Sequence, residues 1–432
     1  MVFFGGKNMG KNITKAKAKK SFALILVAVM VFTFIPMGAF PLTASAATPG
    51  AGKTWIFTES SPDEKDVKYG GGTYTWVKSS KTLTLNNVNH STNAPIALAV
   101  PTGTTIVSKG KNFIKSTFKG ENANDSCGIY GGDLTIKGTG SLTVNSGNAQ
   151  QFSYGLSVAN LTISAGTVTV TSGTGGLSGM RGISFGIRAG KVKISGGKVT
   201  ATSGVNKAGS SYGLSVGNVE ISGGTVIAKG GNAVLMSDGI YTMGSVVITG
   251  GTVTATGTKS TESTSYGIAA KTDIKISGGI VTAKGENSAF GTDLNKSREF
   301  IVPKGLKYTV SANIAGTSPV AGKSDGTFKV TASHKYAKIE GSAALKTLTL
   351  TVTSPKNSKI TKRTKTVTVK VTKGAKVSIS ATGLKAKVKS ATAASTKYTF
   401  KGLDLSKVKK GTVVKITAKK SGYKTKTIKI KI

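Results

Sequence analysis

Between residues 127 and 291 the chain repeats one short pattern of apolar and polar positions. Its clearest member alternates with period two: Val168/Val170, Val199/Ala201, Val226/Ala228, Val253/Ala255 and Val281/Ala283 share one side, with Thr, Ser and Lys between them. Alternation of that kind marks a β-strand with one covered face. A second strand precedes it, seen in Leu134/Ile136, Leu161/Ile163, Val192/Ile194, Val219/Ile221, Val246/Ile248 and Ile274/Ile276. A first strand opens each copy at a glycine, at 128, 155, 186, 213, 239 and 267, with a fainter copy at Phe290-Gly291. Gly-containing turns such as Gly196-Gly197, Gly223-Gly224, Gly250-Gly251 and Gly278-Gly279 separate the second strand from the third.

Three short strands in a period of about 27 residues, with no helical segment between them, predict one coil of a right-handed parallel β-helix. Equivalent apolar residues then stack from coil to coil. At about 4.8 Å per coil, seven coils make a rod of roughly 35 Å. A solenoid needs covered ends. Residues 54–120, with Tyr74, Trp76, Leu83, Leu85 and the run Gly103-Thr104-Thr105-Ile106-Val107, read as opening coils, and 299–345 as the closing cap. From residue 346 the pattern changes. Leu348/Leu350/Val352, Val367/Val369/Val371, Val414/Ile416/Ala418 and Ile428/Ile430/Ile432 alternate strictly against Thr and Lys. This predicts half-buried antiparallel strands, read as a small immunoglobulin-like sandwich.

The first 46 residues read as an export signal. Lys7, Lys11, Lys15, Lys17, Lys19 and Lys20 precede an apolar run from Phe22 to Phe40, and Ala44-Ser45-Ala46 offers a cleavage site. Uncleaved, the same run is nearly long enough to hold the chain in a membrane. The organisation expected is therefore 1–46 signal, 47–300 β-helix with opening coils, 301–345 cap or linker, and 346–432 basic sandwich. The last segment carries no sortase-type signal, membrane span or lipid anchor motif. A single cysteine, Cys127, excludes an internal disulfide. With 57 Gly and 9 Pro, the composition suits many strands joined by tight turns. Charge is unevenly spread: of the net +42, residues 346–432 supply more than half, with 24 cations against Asp404 alone. Such a segment attracts polyanions, less so in salt.

The segments Thr73-Tyr74-Thr75-Trp76, Lys81-Thr82-Leu83-Thr84-Leu85 and Gly103-Thr104-Thr105-Ile106-Val107, followed by the Tyr-Gly-Ile and Ile-Ser-Gly-Gly coils, resemble the carbohydrate-binding β-helix proteins of clostridial and related surfaces. The resemblance covers about residues 54–300. It implies a pectate-lyase-like shape, binding to plant cell-wall polysaccharide, and in some members bound calcium.

Catalysis on such a fold needs paired carboxylates for hydrolysis, or clustered acids with an Arg or Lys base for elimination. The coils carry only Asp133, Glu220, Asp238, Glu262, Asp273 and Glu286, mostly at different points of the coil. The two histidines, His90 and His334, sit in different regions with no Ser or Cys motif beside them. The aromatic residues before the repeat glycines, Tyr154, Phe185, Tyr212 and Tyr266, suit a sugar-stacking platform, but alternation with Leu156 and Leu214 places them inside. Cys127 and Asp238 take the same place, as a buried thiol and as the odd member. Trp55 and Trp76 read as capping core.

Outward positions of the third strand form the column Thr143, Thr169, Thr200, Thr254 and Thr282, interrupted by Ile227 and flanked by Lys198, Lys229 and Lys284. This is the candidate carbohydrate face. In the tail, Lys409, Lys410, Lys419, Lys420, Lys429 and Lys431 are the candidate polyanion site, for teichoic acid or acidic polysaccharide. With no recognition helix or aromatic motif, no specific nucleic acid partner is expected. The expectation is a monomeric, non-catalytic protein, secreted and associated with the wall of a Gram-positive-type bacterium, needing no cofactor. Two alternatives stand beside it: a weak polysaccharide lyase, and a spacer whose solenoid only projects the chain. A cluster of acids beside Arg181 or Arg188 favours the first, and an outer face without groove or aromatic the second.

Overall fold

The computed structural model describes residue 49 and residues 52–120, 123–177, 179, 181–292, 299–341, 346–355, 359–386, 390–420, 423–424 and 426–432. The expected signal falls outside them. Apart from one 3-10 turn, Lys78–Ser80, the regular elements among the described residues are strands.

The repeat forms a parallel β-solenoid. Asn89–Thr92, Lys111–Ser116, Ser141–Asn145, Thr167–Thr171, Lys198–Thr202, Thr225–Lys229, Thr252–Thr256 and Ile280–Lys284 run parallel, in that order, in one sheet. The first two strands of each coil are not separate as expected. In Asp125–Gly138, Phe152–Ile163, Ile183–Ile194 and Ser210–Ile221 they merge into one long strand, part of a second sheet opposite the first. The chain stays extended through the corner there, and pairing resumes on either side of an unpaired residue such as Ala159. Later coils break at the same corner, giving Ser237–Thr242 with Ser245–Ile248 and Tyr266–Ala270 with Asp273–Ile276.

Two glycine stacks permit the coiling. Gly197, Gly224, Gly251 and Gly279 all have φ between 76° and 85°, which L side chains resist. The glycines that open the coils need room instead: a Cβ on Gly213 would meet the Lys229 amide nitrogen at 2.5 Å and the Gly239 carbonyl at 2.6 Å. Alongside runs a buried column, Ser126, Ser153, Ser184, Ser211 and Ser237, in register from coil to coil. Its hydroxyls donate to loop carbonyls, as from Ser211 to Gly204 and from Ser237 to Gly231, both at 2.8 Å. They satisfy backbone that would otherwise be buried unpaired.

The opening end is closed by a hairpin, Glu64–Tyr69 with Gly72–Val77, that pairs antiparallel with Thr82–Asn86. Trp55, Phe57, Tyr74 and Trp76 pack there as buried rings, with Trp55 and Trp76 both fully covered, so both tryptophans are capping core. His90 lies beside them, bonded to the Tyr69 hydroxyl and the Ala97 carbonyl. At the other end Tyr336–Glu340 pairs antiparallel with Ile280–Lys284 and extends the sheet. Phe300, Val302, Leu306, Val310, Val330, Ala337 and Ile339 join the solenoid core.

Residues 348–432 build a separate core. Leu350–Ser354, Val367–Val371 and Lys397–Phe400 form one antiparallel sheet. Ser390–Thr392, Lys376–Ser380, Val413–Lys419 and Lys426–Lys431 form another, in that spatial order. Val367, Val369 and Val371 from the first and Val377, Ile379, Val414 and Ile416 from the second share that core. The pairing gives small antiparallel sheets and does not by itself make them immunoglobulin-like.

Candidate functional site

The threonine column predicted from the repeat is a real ladder. Thr143 pairs with Thr169, Thr169 with Thr200, Thr200 with Ile227, Ile227 with Thr254 and Thr254 with Thr282. All are half-buried, between buried apolar neighbours such as Leu142, Val168 and Ala201. Each strand presents three outward positions, so two further columns flank the first. One runs Lys111, Ser141, Thr167, Lys198, Thr225, Thr252 and Ile280, and the other Lys115, Asn145, Thr171, Thr202, Lys229, Thr256 and Lys284. The surface is a hydroxyl grid with a strand repeat of about 4.8 Å, edged by lysines.

Phe113 lies on the same central column, between Asn89 and Thr143. It pairs with Thr143 and is 44% exposed, an aromatic face of the kind that sugar rings stack on. Sequence reasoning missed it because its coil precedes the recognisable repeat. The available signal was the alternation of Lys111, Phe113 and Lys115 against Asn112 and Ile114.

The aromatics before the repeat glycines are buried, as expected, but for a different reason. A Cβ on Gly155 would strike Val170 Cγ1 at 2.5 Å, so the glycine itself faces the core. Tyr154 therefore faces away from it, and simple alternation with Leu156 fails at this corner. Tyr154 and Phe185 stack at 5.1 Å and Phe185 and Tyr212 at 5.9 Å, outside the main apolar cluster. The Arg188 guanidinium lies over both Tyr154 and Phe185. This second layer holds two perturbed carboxyls. Burial pushes Asp238 up to about 8, against the Tyr266 N–H that donates to its Oδ1 at 2.8 Å. Its Oδ2 has no hydrogen-bond partner among the described residues. Burial also lifts Asp125 to about 6, opposed by the Phe152 amide and by Arg188. Cys127 is fully buried, its thiol raised by burial and donating to the Ile129 carbonyl at 3.1 Å.

No group of three or more His, Cys, Asp or Glu among the described residues is placed to hold a metal. The calcium implied by the resemblance therefore finds no such donor set, and no position is assigned to it. A groove of about 530 Å³ crosses the opening hairpin, lined by Asp63, Glu64, Asp66, Thr75, Asn86 and Lys109 among others. Its carboxylates are partly engaged: Asp63 accepts the Lys78 amide at 2.6 Å and Asp66 the Thr75 hydroxyl at 3.2 Å.

In the tail, Lys419, Lys429 and Lys431 lie on the outer face of the four-stranded sheet, joined by Lys376 and Lys415, which the sequence reading had not selected. Lys409 and Lys410 occupy the preceding turn, whose Gly411 N–H donates to the Ile432 carbonyl at 2.6 Å. Lys420 turns back onto the Lys373 carbonyl at 2.7 Å and leaves the set.

The model of the carbohydrate-binding domain-containing protein family matches residues 75–295, just over half of the chain and nearly all of the coils. The chain belongs to that family. No curated protein and no solved structure matches it.

Proposed function

We propose that the chain is an exported, non-catalytic cell-surface protein that binds an extended cell-wall polysaccharide along the threonine sheet, with Phe113 stacking one sugar ring. The observation that carries this reading is the register that aligns Phe113 with Thr143, Thr169 and Thr200 on one outward line. A polysaccharide chain presents hydroxyls at regular intervals and apolar ring faces, which a periodic hydroxyl grid and one aromatic can match. The exposed aromatic argues against a mere spacer. One carboxylate, Asp125, lies beside Arg188, which is less than an elimination site holding calcium requires. The lysine-rich tail adds electrostatic attachment to an anionic wall polymer.

The test is retention of the full chain on insoluble plant and bacterial cell-wall polysaccharides at low and high salt. Salt-resistant retention is expected, reduced about tenfold by Phe113→Ala, the loss of one good stacking contact. Retention unchanged by Phe113→Ala and by Thr169→Glu together would remove the threonine sheet as the site. Release of unsaturated sugars from a uronic-acid polymer would overturn the non-catalytic reading.

A further inference from the structure

The outer face of the tail's four-stranded sheet carries an arrangement that the sequence does not disclose. Lys376 lies directly across from Lys419, and Lys415 directly across from Lys429. Like charges at directly opposed positions of an antiparallel pair are about 5 Å apart at their Cβ atoms and weaken the sheet. Two such pairs stand on one face, with Lys431 beside them, and all five lysines are exposed. None of the five pairs with an acid among the described residues. The one acid of residues 346–432, Asp404, is occupied by the Ser406 amide and hydroxyl at 3.0 and 2.6 Å. Hydroxyls fill the row between the two lysine pairs: Thr417 pairs with Ser378 and with Thr427, and the two threonine hydroxyls are 3.0 Å apart.

We infer that this face is a docking site for a linear phosphodiester polymer, which lies across the strands with its phosphates between the opposed lysines. The inference rests on the reading that the basic tail holds an anionic polymer, and it names the site and the anion. Charge complementarity selects a polyanion, because a chain carrying regular negative charge relieves both repulsive pairs at once. The type of cation present suits a tetrahedral phosphate. Of the 24 cations in residues 346–432 only Arg363 is an arginine. Lysine binds phosphate as a compact point charge and needs no planar two-point match, whereas the arginine fork grips carboxylate and phosphate alike. Ser378 and Thr417 supply neutral hydroxyl donors to the remaining phosphate oxygens.

The experiment measures binding of the full chain to soluble poly(glycerol phosphate), and to polygalacturonate of matched length, across a range of salt. Three variants are compared: Lys376→Ser/Lys415→Ser/Lys429→Ser on the face, Lys362→Ser/Lys401→Ser/Lys407→Ser in the turns, and Lys376→Arg/Lys415→Arg/Lys429→Arg. The face variant should lose about tenfold or more in affinity for the phosphate polymer, with a shallower salt dependence, because fewer counterions are released. The turn variant, of equal net charge, should lose no more than about threefold. The arginine variant keeps the charge and should keep phosphate binding within about threefold of the wild type, which a misfolded tail would not do. Equal losses in the face and turn variants would overturn the site while leaving the basic-tail reading in place. Tighter wild-type binding to polygalacturonate than to the phosphate polymer would overturn the anion. Binding to neither polymer would overturn the basic-tail reading and the site with it.

Discussion

The two outer sheets of this protein use the same side chains, threonine and lysine, to opposite ends. On the solenoid, parallel stacking puts each residue beside its equivalent in the next coil, so threonine meets threonine and the lysines fall to the edges. On the solenoid's other sheet cations are paired with acids, Lys191 with Glu220 at 2.7 Å and Lys275 with Asp273 at 2.9 Å. On the tail, antiparallel pairing sets lysine against lysine with no acid to answer. The first surface is ordered by repetition, which is why we propose it as the site for a periodic ligand. The second carries its own repulsion over an apolar core.

The two halves should differ most in how they tolerate side chains in place of glycine. Gly213→Val would drive two methyl groups into backbone atoms that already lie 2.5 and 2.6 Å from an ideal Cβ. Overpacking against backbone in a close-packed interior costs about 3 kcal/mol or more, and the damage should spread to both neighbouring coils. In the tail, Gly374 has a positive φ of 79° but meets only the flexible Lys420 side chain, at 3.4 Å. Gly374→Ala should cost about 1 kcal/mol, the strain of a left-handed turn. Hydrogen exchange resolved by peptide would show protection lost over several coils in the first case and in one turn in the second.

Much of this was legible because a repeat multiplies weak signals. The glycine period fixed the coil, and the columns Thr143 to Thr282 and Val168 to Val281 came out in the register the sequence implied. What stayed hidden lay where a position has no repeated counterpart or depends on pairing. Phe113 precedes the clear repeat. The facing of Tyr154 turns on a glycine that points inward, which period-two counting cannot register. Lys415 and Lys429 are fourteen positions apart in the chain, and only the hairpin register makes them opposites.

The next largest effect is on pH. An unfolded Asp238 ionises near 3.8, and the buried one near 8. The folded state therefore binds its proton more tightly, and the stability this gives is complete below about pH 4 and lost as pH rises toward 8. Asp238→Asn keeps an oxygen to accept the Tyr266 amide and carries no charge. The variant should match the wild type near pH 4 and exceed it by several kcal/mol near pH 8, seen as a growing difference in melting temperature. The tail should show no such trend. Its one acid, Asp404, is half-buried and held below its usual value by Ser406 hydrogen bonds, so its contribution is present above about pH 4 and lost only in stronger acid.

The smallest effects are in surface charge, where the same substitution should act with opposite sign on the solenoid and on the tail. Lys191→Ser removes the partner of Glu220 from a half-exposed pair, and should destabilise the solenoid by a few tenths of a kcal/mol at most. Lys415→Ser removes one member of a repulsive cross-strand pair and should stabilise the tail by about 0.2–1 kcal/mol. Both differences should shrink as salt rises past the range where surface charges feel one another. The phosphodiester polymer should change only the second: with the polymer bound, Lys415 has an anionic partner, and its replacement becomes unfavourable. Peptide-resolved hydrogen exchange across Val413–Lys419, with and without polymer at low salt, reads that reversal directly. A Lys415→Ser tail that is less protected even without polymer would mean that the opposed lysines are not under strain, and the argument that this face is built to receive an anion would lose its basis.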